Sequence, residues 1–355
     1  MKKSILAIAV LGAVAGAASA QTNVTIYGVA DAGIRMRDSD AATNGKTWGL
    51  DSGLQSGSRI GFRGNEDLGG GLSAIFTLET GFNIDDGSLA QGVAASATTP
   101  AINRLFGRQA FVGLAGGFGA VKFGRQYAPI RLAVESVDPF GLGLAGNAAN
   151  VLNVHGERTD NTINYTTPKL NGFTGQLAYS FGEVAGNNSA GRHVGLSVGY
   201  ANGPLNVVLA HHDQNLLTGG TATAFPATPN GDVTTTMLGG TYDFKVAKLH
   251  AAYSRSKGET AAGLTNVDRD DAMIGVSAPV GPGTILAAYI QRSDDLGANR
   301  DANQIALGYL YNLSKRTNLY TSYARTRNDA ASSLNGAAAA GRDPSTFNVG
   351  IRHRF

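Results

Sequence analysis

The sequence predicts an all-β fold, specifically a 16-stranded antiparallel transmembrane β-barrel with an inward-folded third loop, and three observations carry that expectation. The chain opens with an export leader, and no later stretch is long and apolar enough to cross a membrane as a helix. Its strands alternate, with apolar residues on one face and polar, often charged, residues on the other. Short turns also alternate with long polar connections, the arrangement of a barrel that crosses a bilayer.

The leader is Met1 to Ala20: Lys2 and Lys3, an apolar run from Ile5 to Val14, then the small-residue cleavage pattern Ala18-Ser19-Ala20. It predicts a cleaved secretory signal over 1–20, a mature chain from Gln21, and one barrel domain over 21–355. Cleavage removes two of the 29 basic residues and none of the 26 acids, leaving a net charge of about +1. The sequence pI of 9.0 therefore does not reflect a clustered basic surface, and no nucleic-acid partner is expected. With no cysteine, an exported chain must close its fold without disulfides. The mean hydropathy of -0.07 suits both a soluble β protein and a membrane barrel, and the strand faces decide between them.

In the first strand Val24, Ile26, Gly28, Ala30 and Ile34 share one face, and Thr25, Tyr27, Asp31 and Arg35 the other. Next, Ile60 and Phe62 oppose Arg59 and Arg63, charges that the dry core of a secreted sandwich or adhesin could hold only at high cost. Further on, Phe173, Leu177, Tyr179 and Phe181 oppose Thr174, Gln176 and Ser180, while Ile305, Leu307, Tyr309 and Tyr311 oppose Gln304, Ala306 and Gly308. The last strand sets Phe347, Val349, Ile351 and Phe355 against Asn348, Arg352 and Arg354. An apolar outside and a wet interior follow. Candidate strands lie near 22–36, 50–63, 72–82, 104–115, 119–127, 158–167, 173–182, 192–201, 204–213, 233–243, 248–257, 269–279, 283–293, 301–312, 317–327 and 344–355. Aromatic residues near their ends, such as Tyr165, Phe181, Tyr242, Phe244 and Tyr311, fit interfacial girdles.

Short connections carry turn chemistry at 65–71, 116–118, 168–172, 202–204, 281–282 and 312–316, and long ones fall at 37–49, 83–103, 128–157, 214–232, 258–268 and 328–343. The stretch from Arg125 to Arg158 stands out because it does not alternate and contains Pro129, Pro139 and the turn Asp138-Pro139-Phe140-Gly141. Our reading folds it back into the barrel, where it narrows a water-filled pore; the alternative leaves it as a surface loop outside.

Several segments, among them Val24-Thr25-Ile26-Tyr27-Gly28, Ser58-Arg59-Ile60-Gly61-Phe62-Arg63-Gly64, Arg108-Gln109-Ala110-Phe111-Val112-Gly113-Leu114, Phe123-Gly124-Arg125-Gln126-Tyr127 and the terminal Gly350-Ile351-Arg352-His353-Arg354-Phe355, resemble the general diffusion porins of Gram-negative outer membranes, most closely their β-proteobacterial branch. The resemblance spans the mature chain. It implies a homotrimer, with one pore per barrel, embedded in outer-membrane lipid and lipopolysaccharide and passing small hydrophilic solutes and inorganic ions. It also implies that Phe355 is part of the signal read by the barrel-assembly machinery.

Carried over residue by residue, the resemblance places Arg59, Arg108 and Arg158 in the family's cluster of wall arginines at the constriction, with Arg125 as a further candidate. Glu135 and Asp138 are the facing acids from the loop. The enteric pattern has a Glu between the loop's Pro and Phe, whereas Pro139 and Phe140 are adjacent here, so the choice between Glu135 and Asp138 stays open. Opposed charges across a narrow wet gap create a transverse field that favours small polar solutes, and the arginine excess predicts weak anion selectivity. Arg63 and Asp31 also point inward, at heights that parity does not give. A line of lumenal aromatic residues, which would mark a sugar-specific channel, is not visible by parity.

The alternatives to a general porin are a substrate-specific outer-membrane channel and, less favoured, a barrel enzyme such as an outer-membrane lipase. Gly195-Leu196-Ser197-Val198-Gly199 matches G-x-S-x-G but runs on as an alternating strand, where a nucleophile needs a sharp strand-to-helix turn. Asn44-Gly45-Lys46-Thr47 lacks the first glycine of a phosphate-binding loop. His211 and His212 point to opposite faces of a strand, so they cannot share a metal, and no cofactor motif appears elsewhere.

Overall fold

The computed structural model describes residues 23–92, 103–152, 157–218, 228–297 and 299–355; the expected leader and the cleavage point before Gln21 lie outside them, as do parts of four connections, 93–102, 153–156, 219–227 and 298. The barrel begins with β1 (Asn23–Asp38), β2 (Lys46–Ser52 and Arg59–Gly69), β3 (Leu72–Gly81), β4 (Gln109–Gly116) and β5 (Gly119–Tyr127). It continues with β6 (Arg158–Thr159 and Thr162–Thr166), β7 (Phe173–Ser180), β8 (His193–Asn202), β9 (Leu205–Thr218) and β10 (Thr228–Asp243). The remaining strands are β11 (Lys248–Glu259), β12 (Thr265–Val280), β13 (Gly283–Asp294), β14 (Ala302–Asn312), β15 (Thr317–Asn328) and β16 (Ser345–Arg354).

Two strands are made of two segments each. The first half of β1 pairs with Arg59–Asn65 and the second half with Lys46–Ser52, so both segments continue one strand across a break at 53–58. Both segments of β6 likewise pair with β5. All pairings are antiparallel between sequence neighbours, and β1 closes the ring against β16, from Val29 opposite Arg354 to Asp38 opposite Ser345. The sixteen expected strands are therefore present. β2 starts earlier than expected, at Lys46, and β4 later, at Gln109.

The burial pattern is inside out. Gln304 is 0% exposed and its neighbour Ile305 60%. Thr326 and Asn348 are likewise buried inward, while Leu307, Tyr323 and Ile351 are exposed outward. The outer apolar surface matches lipid, and polar groups face the lumen. Aromatic pairs sit beside the short turns, Phe173 with Tyr200 and Tyr242 with Phe244, both at 4.6 Å between ring centroids. These form one girdle at the barrel's turn side.

The long connection after β5 folds into the lumen. It opens with a helix, α1 (Pro129–Val137), whose first residue is proline, suited to that position because its missing N–H has no helical partner there. Ile130, Ala133, Val134 and Val137 recur at helical spacing and bury against Val208, Ala210, Met237 and Ala252 on the inner wall. The chain then crosses the lumen: Phe140, Leu144 and Ala145 pack on Leu286, Ala288, Ala306 and Ala324. Leu144 N–H donates to the Leu54 carbonyl at 2.5 Å, in the break of β2, and Ala145 N–H to Ser322 Oγ at 3.0 Å. Asn150 Nδ2 donates to Gln304 Oε1 at 2.8 Å, and Arg292 holds the Val151 carbonyl.

The wall makes room for this loop with small residues. A Cβ on Gly195 would stand 2.8 Å from Pro129, one on Gly275 2.7 Å from Pro139, and one on Gly308 3.0 Å from the Phe140 ring. Gly195 is the first glycine of the G-x-S-x-G match, and its role is to seat the helix.

Candidate functional site

The candidate site is built where β5 ends and the loop begins. Tyr127 is the last residue of β5, Arg158 is its partner on β6, and Ala128 N–H donates to the Glu157 carbonyl at 3.2 Å, so the loop's two ends meet there. The register makes an inward turn possible: pairing steps from Phe123 opposite Ile163 to Gln126 opposite Thr159, one extra residue on β6. This bulge re-aims the side chains beyond it. Gly124, at φ 128°, lies beside the Ala110 carbonyl, where an added Cβ would approach to 2.2 Å.

Around Tyr127 three guanidiniums gather, with ring-centroid distances of 6.0 Å for Arg108, 4.2 Å for Arg131 and 4.7 Å for Arg158. Each is an attractive cation–π arrangement. The Tyr127 hydroxyl accepts from Arg108 at 2.5 Å and Arg158 at 3.2 Å. Carboxylates balance part of the charge. Glu79, buried on β3, accepts from Arg108 Nε at 2.8 Å and from the Tyr27 hydroxyl at 2.9 Å. Glu157 lies 3.0 Å from Arg158 and 3.6 Å from Arg131, and Glu135 pairs with Arg131 one turn away on α1. Arg59 stands on β2 opposite Gly81, two residues from the strand partner of Glu79. Among the described residues the Arg59 side chain makes no direct ion pair or hydrogen bond, and it feels the charges of Arg108, Glu79 and Glu135 at longer range.

The geometry thus gathers Arg59, Arg108, Arg158 and Glu135 from wall and loop around Tyr127, and adds Arg131, Glu79 and Glu157, which the sequence reading does not select. Glu79 was within reach of parity, since it is an acid at an inward strand position opposite Gly61. Arg131 and Glu135 carry the helical i, i+4 spacing behind a proline, a signal of α1 that a search for strands passes over.

Two expected residues stand outside the contacts around Tyr127. Arg125 makes none of the Tyr127 contacts: it donates to the Gly107 carbonyl at 2.7 Å and to Asp160 at 2.5 Å, a carboxylate shared with Arg104 at 3.0 Å. Asp138 does not face the arginines. It is 5% exposed and turned into its own loop, accepting from the backbone N–H groups of Phe140, Leu142 and Ala148 at 3.0, 2.8 and 3.1 Å. Burial, resisted by those three donors, pushes its carboxyl up to about 6. Asp31 is another inward staple, accepting from the Tyr320 hydroxyl and from the N–H groups of Gln55 and Ser56 in the break of β2.

A sequence profile of Gram-negative porins matches residues 7–331. The chain belongs to the Gram-negative porin family. This porin is 36% identical to an outer membrane porin protein of Bordetella pertussis, over the full length of both chains. Among solved structures, the anion-selective porin from Comamonas acidovorans superposes with a TM-score of 0.78 at 33% identity, covering 94% of this chain and 100% of that one. OmpT of Vibrio cholerae, in a trimer form, shares the fold at a TM-score of 0.67 and 18% identity, covering 94% and 99%. This porin is therefore an outer-membrane channel and not an enzyme.

Proposed function

We propose that this porin passes small hydrophilic solutes and inorganic ions by passive diffusion with a weak preference for anions, through a constriction formed by Arg59, Arg108, Arg131 and Arg158 with Glu79, Glu135 and Glu157. The observation that carries the reading is the unequal pairing: four guanidiniums share three carboxylates, and Arg59 is the one without a direct salt bridge. Fixed charge beside a narrow aqueous path sets ion preference through the local potential. The description of the Comamonas relative as anion-selective points the same way.

On this reading three copies assemble with one pore each, their outer faces meeting outer-membrane lipid and lipopolysaccharide. Residues 1–20 are removed on export, and Phe355 contributes to the signal recognised by the barrel-assembly machinery. Planar-bilayer recording of the refolded protein tests the proposal. Openings in groups of three and an anion-favouring reversal potential in a salt gradient are expected, and Arg59→Gln should reduce the anion-to-cation permeability ratio roughly two-fold. A cation-favouring potential overturns the charge assignment, and a folded barrel without conductance overturns the open pore.

A further inference from the structure

We propose that Tyr127 is the positioning residue of the constriction: its ring and hydroxyl hold Arg108, Arg131 and Arg158 in one array, and so set the charge that a permeating ion meets. The inference rests on reading that wall as the anion-favouring side.

Three like charges around one ring repel one another, and the carboxylates that offset them pull in different directions. Glu79 draws Arg108 toward β3, Glu135 draws Arg131 along α1, and Glu157 draws Arg158 and Arg131 toward the loop's return. Each ion pair alone would let its guanidinium swing about the carboxylate. Tyr127 is the group among the described residues that touches all three cations, two through its hydroxyl and all three through its ring. It is also placed where the three come from separate places: Arg108 from the residue just before β4, Arg131 from α1 and Arg158 from β6. One side chain thus ties the wall, the loop and the returning strand together. The ring supplies attraction that does not neutralise the charge, unlike a carboxylate in the same position.

The test separates the ring from the hydroxyl and both from simple volume. Reversal potentials in a salt gradient are measured for wild type, Tyr127→Phe and Tyr127→Leu, with folding verified by heat-modifiable mobility on a gel. Tyr127→Leu should shift the reversal potential toward cations, the permeability ratio falling at least two-fold, and Tyr127→Phe should restore most of it because the ring remains. If Tyr127→Leu does not fold, Tyr127→Met, of similar length and without a ring, takes its place. A folded ring-less variant with the wild-type potential overturns the proposal, as does Tyr127→Phe behaving like Tyr127→Leu. The wild-type potential tests the anion reading separately: should wild type prefer cations, that reading falls, while a further cation shift in the ring-less variant still supports the role of Tyr127.

Discussion

Asp138 is buried where a charge is costly, yet three backbone N–H groups converge on it, and the two effects leave its carboxyl near 6. In an unfolded chain the same group loses its proton near its ordinary value of 3.8. Between those values the docked loop holds a proton that the free chain has released, so docking is favoured as pH falls through about 6 and weakened as pH rises through it. The full difference corresponds to about 3 kcal/mol. Asp138→Asn, which cannot titrate, provides the reference. The thermal stability of wild type relative to this variant should be greater at pH 5 than at pH 7.5, and an unchanged margin would rule out the linkage. Residues of this kind explain what the sequence leaves unreadable. Arg59, Arg108 and Arg158 are recognisable from their motifs, and Glu79 from parity. The inward turn of Asp138 and the diversion of Arg125 to Asp160 depend on loop closure and on a one-residue bulge, neither of which leaves a mark in the alternation.

At the scale of elements, the strands are legible because each has two solvents to satisfy, and the period-2 pattern records both. The helix α1 was missed because it is short, lies within a stretch already set apart as non-strand, and hides its apolar stripe among alanines and valines. Its seat is written in the wall rather than in the loop. Gly195, Gly275 and Gly308 lie on β8, β12 and β14 at inward positions, where a larger side chain would occupy the space of Pro129, Pro139 or Phe140. A seat of this kind is sensitive to added volume, and overpacking costs about 1–3 kcal/mol. Gly308→Leu should leave the barrel folded, push Phe140 off the wall and lower single-channel conductance. A wild-type conductance in a correctly folded Gly308→Leu barrel would argue against the seat.

For the whole molecule, stability comes from a closed ladder instead of a central apolar core. Every strand has two neighbours, and the ring depends on the pairing of β1 with β16, where Gly28 and Phe355 exchange backbone hydrogen bonds of 2.9 and 3.1 Å. Deleting Ser345 to Phe355 removes that seam and exposes the edges of β1 and β15, which in lipid have no water to satisfy them. Such a chain should give no heat-modifiable folded species in detergent refolding, and recovery of one would show that closure is dispensable. The loop, by contrast, stands apart from the ladder beyond the Ala128–Glu157 bond at its ends: it is held by side-chain packing and by individual bonds to Leu54, Ser322, Gln304 and Arg292. On the proposed reading the loop's share of the aperture is written in its own passage of the gene, while Arg59, Glu79 and Arg158 are written into the strands. Edits within 128–157 would then re-cut the loop's side of the passage while the rungs between the strands stay where they are, so tuning the sieve need not disturb how the barrel is built.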